Sequence, residues 1–575
     1  MSPHVRGKRR LGFLSRDGQA GAMRRTAITC LLLVSATAAA ALWTRPAWPV
    51  DETRYLGVAW GMWARGDFLV PRLDGALYAD KPPLLFWLMH AGWAVFGVNA
   101  WWPRLISPLA ALLALWLTAR LARRLFPATA AAELAPLLLC GTLLFAAWST
   151  FLMFDMLLVC ATLLALLGLL AARQDGGARG WLLCGAGLGA GFLIKGPVLL
   201  VHVLPVALAA RWWSPPAGAA TRGGAWGARL ALALLLGVAL ALLWVIPAGL
   251  SGGSEYRDAL LYGQAAHRLA NTGEVPHAQP WWFYLAMLPL VLLPWSLWPR
   301  LWSAARAGFA RGGSARPPVD GVRFTIAWAL PALLLLSAIG SKQEQYLLPE
   351  MPALALLGAA LLARDAPAAR GDASAAGGRL TARRGIALLP GLAVIAAGAA
   401  MVCAARQWPP LDDPNLAGTS VPAGLALAAF GLALACARPR DDRAAAGLLA
   451  CACAAAMIAV HLGAPPGPLA LRDLRPASAR LAALQLRGCP LAYLGKYRAQ
   501  YDFFGRLRAP IASLTAGELS AWFAAHADGV LVTMHATLDS EHPDLGVRAV
   551  DSLPSGEWLW ERSPGGAPVR SPGSR

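Results

Sequence analysis

Between Asp51 and Pro83 the chain reads DETRYLGVAWGMWARGDFLVPRLDGALYADKPP, a polar, acid-rich stretch set in an otherwise oily sequence. Its reactive residues fall at the two ends. At the first, Asp51 follows Trp48, Pro49 and Val50 and opens a run with helical spacing, so Asp51, Arg54 and Tyr55 share one face with Glu52 beside them. At the second, Tyr78, Asp80 and Lys81 precede Pro82 and Pro83, whose fixed φ and missing N–H groups hold Lys81 on a stiff arm. A carboxylate can orient or deprotonate an attacking group, and an ammonium can hold an anion. The same residues also fit a blander pair of roles, with Asp51 capping an interfacial helix and Lys81 snorkelling to headgroups.

Other polar residues interrupt apolar runs. Asp155 is the single charge in STFLMFDMLLV, where it either caps a helix or is paired, hydrated or used. Lys195 in GFLIKGPVLL stands beside Gly196 and Pro197, at a turn where anchoring to lipid phosphate is an equal reading. The segment 251–280 carries many polar groups and is long enough for a lid over a membrane-face cavity, with Arg268 as the phosphate clamp. SKQEQYLLPEMPALALL adds Lys342, Gln343, Glu344 and Tyr346 where a bare connection would suffice.

The elements that position these residues are set by composition. Of 575 residues 57% are hydrophobic and only 14% charged, with a mean hydropathy of +0.51, which puts the chain among integral membrane proteins. Residues 1–25 form a basic N-terminus, and the apolar run 26–43 reads as an uncleaved first helix because many spans follow. Later runs near 103–120, 134–152, 155–172, 180–195, 197–210, 230–250, 282–300, 324–340, 346–363, 386–404, 422–437 and 444–463 bring the expectation to about 13 spans. Arginine clusters fall in alternate loops, which assigns those loops and the N-terminus to the cytoplasm. The opposite, outer side then receives the loops 44–102 and 251–281, Asp155, Lys195 and the turn at 341–346. A transmembrane domain over 26–463 leads to a tail, 464–575, with strand-like PLAYLG and GVLVTM and a helix-like run over 515–525. That tail reads as a small α/β domain outside the membrane, ending in the disordered SPGGAPVRSPGSR.

The net charge of +20 comes mainly from the cytoplasmic arginines facing anionic lipid, and no aromatic-and-basic motif suggests nucleic acid. Eight of nine cysteines lie in apolar runs, so neither a disulfide framework nor a metal cluster is expected.

The motifs DETRY, GDFLVPRLDGALYADKPPLLFW, FGVNAWWPRL, the lone Asp155 and SKQEQYLLPEMPAL together resemble the membrane glycosyltransferases that use a polyprenyl phosphate-linked sugar. The resemblance is to the bacterial aminoarabinose transferase and protein mannosyltransferase superfamily, and is strongest over about 26–365. It implies an all-α polytopic fold of the GT-C type with a periplasmic cavity and a small periplasmic C-terminal domain, and inverting transfer from the lipid phosphate donor. It matches the catalytic aspartate to Asp51, the phosphate-binding lysine to Lys81 and a second acidic position to Asp155. More loosely, Tyr55, Tyr78, Arg268 and Tyr346 fall where the family lines its cavity, with Glu52, Arg54, Asp80 and Lys342 nearby. The aminoarabinose enzymes usually carry glutamate before that lysine, where this chain has Asp80, so the sugar stays open. The implied partners are a polyprenyl phosphate donor, lipid A or another envelope glycolipid as acceptor, and membrane lipids. No cofactor or metal is expected. Protein O-glycosylation is the second reading; a transporter would hold its charges at the midplane, whereas these cluster at one face with no inverted repeat, and a membrane scaffold explains the spans but not the Asp51–Pro83 stretch.

Overall fold

The structure, a computed structural model, describes residues 16–214, 223–260, 277–310, 319–364, 387–534, 536–542 and 545–562. Apolar runs become helices because only internal hydrogen bonding satisfies the backbone in lipid. Among the described residues nine helical segments are long and apolar enough to cross a membrane. The first elements are α1 (Arg16–Thr44), α2 (Asp51–Arg65), α3 (Leu84–Phe96), α4 (Trp101–Leu125), α5 (Ala131–Cys140), α6 (Leu143–Trp148), α7 (Asp155–Asp175), α8 (Ala178–Lys195) and α9 (Leu200–Leu208).

Some expected spans take a different form. The run near 134–152 is split into α5 and α6 at Gly141, where a Cβ would collide with Ala450 and Trp295. The run near 282–300 is a short helix, Phe283–Val291, followed by a 3-10 turn at Trp295–Leu297.

α7 and α8 form a tight hairpin. A Cβ at Gly168 or Gly187 would strike the backbone of the facing helix, so small residues let the two backbones approach. This seam brings Lys195, the last residue of α8, to Asp155, the first of α7. Gly196, at φ 71°, then reverses the chain into α9. By Ser214 it is back at the far end, where Arg173 Nε donates to Ser214 Oγ at 3.1 Å. Other arginines gather at that end, Arg124 on Asp175 at 3.0 Å and Arg443 on Glu133 at 2.6 Å among them.

The opposite end carries α2, a β-hairpin of β1 (Arg72–Leu73) and β2 (Ala76–Leu77), and α3. Above them sits the C-terminal domain. Its strands are β3 (Leu491–Leu494), β4 (Ala512–Leu514), β5 (Val530–Thr533), β6 (Val547–Ser552) and β7 (Trp558–Arg562), in the order β4-β3-β5-β7-β6. β4, β3 and β5 are parallel; β7 and β6 extend the sheet antiparallel. Alternation along β5 sends Val530 and Val532 into one hydrophobic cluster and Leu531 into the other. The run expected to be helical over 515–525 is a 3-10 turn with a Thr515–Glu518 capping box, followed by a helix, Leu519–Ala525. The expected disordered end, 563–575, lies outside the described residues.

The domain docks on α2 and α3. Trp60 Nε1 donates to the Leu507 carbonyl at 2.8 Å, and Trp93 stacks on Phe503 with centroids 5.5 Å apart. Gly57 lies so close that a Cβ there would overlap the Ala499 carbonyl.

Candidate active site

Asp51 is the first helical residue of α2, capped by no side chain, and its carboxylate pairs with Arg54 one turn on. At 48% side-chain exposure it stays open to an incoming group. Tyr55 is buried on the same face, edge-on to Phe154 at 5.0 Å. Phe86 of α3 meets the same ring at 5.6 Å, so α2 and α3 are pinned to the turn that carries Asp155.

Asp155 is buried and accepts from Lys195 Nζ at 2.6 Å. The same ammonium lies 4.8 Å from the centroid of the Tyr346 ring. Three segments distant in sequence therefore share one charge. Lys195 read from sequence equally as a lipid anchor, and its contacts here are with Asp155 and Tyr346. The signal was the lone Asp155 and lone Lys195 at two turns of the same side; the hairpin register that joins them was not legible.

Lys81 stands in the field of Lys195, Asp80, Arg54 and Asp155. Burial first, and then the Lys195 charge, lower its pKa to about 8, against the pull of Asp80 and Asp155. Its Nζ donates a long bond, 3.4 Å, to the Asp80 carbonyl. Tyr78 is buried beside Arg54 and Asp51, and its hydroxyl has no hydrogen-bond partner among the described residues. Burial, and then the Asp51 charge for Tyr55 and Asp80 for Tyr78, push both phenols up and keep them neutral donors. Asp80 is exposed at the rim.

Two residues expected to line the cavity are turned inward. Glu52 is buried and pairs with Arg45, whose Nη2 donates at 3.1 Å; Trp48 N–H donates at 2.5 Å and Leu152 N–H at 2.6 Å. It clamps the end of α1 and the start of α2 to the turn before Asp155. Lys342 is buried too, donating to the carbonyls of Gln279 at 2.9 Å and Ile339 at 2.5 Å. It staples the turn after Ala338 to the segment at 277–279, where Ala278 and Ser341 form a β-bridge. Arg268 and most of the lid expected over 251–281 lie outside the described residues. Among the described residues there is no group of three or more His, Cys, Asp or Glu arranged for a metal.

The arrangement is a half-exposed carboxylate, Asp51, in one cluster with two ammonium groups, Lys81 and Lys195, and two buried phenols, Tyr55 and Tyr78. Such a set suits an anionic leaving group and an oxygen nucleophile.

Residues 80–248 match the family described as dolichyl-phosphate-mannose-protein mannosyltransferase, a span that holds Lys81, Asp155 and Lys195. Over 341 residues, 56% of this chain and 58% of the relative, the sequence is 33% identical to the undecaprenyl phosphate-alpha-4-amino-4-deoxy-L-arabinose arabinosyl transferase of Pseudomonas paraeruginosa. The protein of the same description in Pseudomonas aeruginosa UCBPP-PA14 is 33% identical over 329 residues, 55% of this chain and 56% of the relative. The chain thus matches little more than half the length of these curated relatives. The apo crystal structure of ArnT from Cupriavidus metallidurans superposes with a TM-score of 0.69 at 19% identity, covering 96% of this chain and 99% of that one. The form bound to undecaprenyl phosphate gives 0.66 at 20% identity, covering 97% and 100%. These likenesses establish the fold, that of a polytopic membrane protein of the GT-C class. The sequence matches are to aminoarabinose transferases and to the protein mannosyltransferase family model, each over part of the chain.

Proposed function

We propose that this protein is an inverting glycosyltransferase that moves a sugar from a polyprenyl phosphate to lipid A or another envelope glycolipid. The observation that carries the reading is the convergence of Asp51, Lys81, the Asp155–Lys195 pair and Tyr346 on one face of the bundle. The relatives' description names the donor to test first, undecaprenyl phosphate-linked 4-amino-4-deoxy-L-arabinose.

In this reading an acceptor oxygen attacks the anomeric carbon from the side of Asp51, forming the new C–O bond with inversion. The bond from that carbon to the phosphate oxygen breaks, and the electron pair leaves with the polyprenyl phosphate. Lys81, with Arg268 from the lid segment, takes up the charge that develops there. Lys195 adds to that positive field while Asp155 fixes its position, and Tyr346 bounds the phosphate side. A hydroxyl acceptor loses its proton to Asp51; an ionised phosphate acceptor needs Asp51 only for orientation. Metal independence belongs to the proposal, since two lysines and an arginine neutralise the phosphate. Its check is activity that survives EDTA.

The protein sits in the bacterial inner membrane with the arginine-rich end cytoplasmic and the site and C-terminal domain periplasmic. The test is purified protein in lipid vesicles with the aminoarabinose donor and lipid A. A product heavier by one sugar, lost in Lys81→Ala, supports the reading. Transfer instead to a peptide hydroxyl would favour the second reading, protein O-glycosylation, which the mannosyltransferase description of residues 80–248 favours. Transfer to neither acceptor would contradict the proposal.

A further inference from the structure

At the arginine-rich end, far from the candidate active site, α4 brings Arg120, Arg123 and Arg124 to one side of a cavity of about 240 Å³. Leu167 and Ala171 of α7 and Leu183 of α8 form the other walls. The concavity is thus cationic on one side and apolar on the rest.

The cations are only partly compensated. Arg124 donates to Asp175 at 3.0 Å and to the Gln174 side chain at 3.3 Å. Arg120 lies over the Trp116 ring, its guanidinium carbon 4.5 Å from the centroid. Arg123 reaches the Met23 sulfur at 3.9 Å. Among the described residues one carboxylate therefore meets three guanidinium groups.

The apolar surface leading to this cavity is also organised. Leu109, Leu113, Trp116 and Arg120 recur at helical spacing and form one stripe on α4. The three apolar members are about half exposed, at 49%, 47% and 50%, so among the described residues no segment fully covers them. From Leu109 to Arg120 the helix rises roughly 16 Å, about one leaflet of a ~30 Å hydrocarbon core. A snorkelling arginine needs neither a concave seat nor an aligned apolar track. A lipid with an anionic headgroup needs both.

We propose that this cavity is a binding site for an anionic phospholipid of the leaflet at the arginine-rich end. The phosphate sits between Arg120 and Arg123, and an acyl chain lies along Trp116, Leu113 and Leu109. Arg124, already paired with Asp175, bounds the site. The proposal is independent of the transferase reading.

The test is native mass spectrometry of the full-length detergent-purified protein with equal amounts of phosphatidylglycerol, cardiolipin and phosphatidylethanolamine. The expected result is retention of the two anionic lipids over the zwitterionic one, lost in R120A/R123A and kept in R211A, an exposed arginine away from this cavity. A photoactivatable phosphatidylglycerol, which needs no variant, should mark the wild-type chain within residues 109–124 or the facing turns of α7 and α8. Equal retention of all three lipids, an unchanged preference in the double variant, or label spread evenly around the bundle would overturn the proposal. So would inorganic phosphate that displaces the retained lipid, because the headgroup alone would then account for binding.

Discussion

Lys195 is shared between a buried carboxylate and an aromatic face, and this decides what its loss does. Removing the ammonium leaves Asp155 buried without a counter-charge, a costly state that reorganises the turn. Lys195→Ala is expected to lower the transfer rate by ~10²-fold or more, since the proposed mechanism uses it as a fixed cation for the leaving group. Lys195→Ala with Asp155→Asn should recover thermal stability but not transfer. Full activity in the single variant would contradict the assignment.

Lys81 makes a prediction about pH. Its pKa is lowered to about 8 by burial and by Lys195, so the charged form is disfavoured before donor arrives. Binding of an anionic phosphate selects the ammonium form, so donor affinity is level below about pH 8 and falls as pH rises above it. Lys81→Arg keeps its charge and should bind across that range; titration of polyprenyl phosphate binding between pH 6.5 and 9.5 compares the two. A common midpoint would assign the titration to another group.

Glu52 shows the limit of reading residues by type. It adjoins Asp51 and looks equivalent in the sequence, yet neighbours on a helix point about 100° apart and only packing decides which faces inward. The structure buries Glu52 against Arg45 and leaves Asp51 open. Glu52→Ala strands Arg45 and should cost about 3–5 kcal/mol of stability, read as a lower melting temperature in detergent.

At the scale of elements, the docking of the C-terminal domain on α2 is the contact most open to test. The Asp74 carboxylate, at the tip of the β1–β2 hairpin, accepts from Ile511 N–H at 2.9 Å. Burial foremost raises its pKa to about 7 and that of Asp502 to about 6, above the ordinary 3.8. The docked state therefore binds protons more tightly than the undocked one. Docking should weaken as pH rises from about 4 towards 7 and be fully weakened above that. Hydrogen exchange over residues 496–511 should be slower at pH 5 than at pH 8, with the difference reduced in Asp74→Asn and Asp502→Asn. Gly57→Val, which drives a side chain into the Ala499 carbonyl, should expose the same segment at every pH.

Elements also divide what was legible. The Asp51 helix, the rigid Lys81 arm, β3 and β5 were visible because propensity, proline chemistry and short apolar runs act locally. β4 and β6 were not, because polar residues on a wet face dilute their alternation, and β7 shows no alternation, Leu559 and Trp560 being buried side by side. The close packing at Gly141, where the third span splits, involves Ala450 and Trp295, which lie far along the chain. The Lys195–Asp155 contact likewise depends on how far α8 slides along α7, which the small residues of that seam permit but do not announce.

Taken whole, the molecule is polarised. Arginines mark one end of the bundle, the Asp51–Lys81–Lys195 cluster marks the other, and the C-terminal domain is seated over α2 beside it. A transporter would concentrate its polar groups near the midplane; here they lie at an end, where a lipid-linked donor and a membrane acceptor can meet without crossing. The most direct measurement is mass spectrometry of lipid A and total envelope glycolipids from cells carrying the wild-type protein, Asp51→Asn, or none. The account predicts a one-sugar mass increment that requires both the protein and Asp51. Identical glycolipids in all three strains would contradict it.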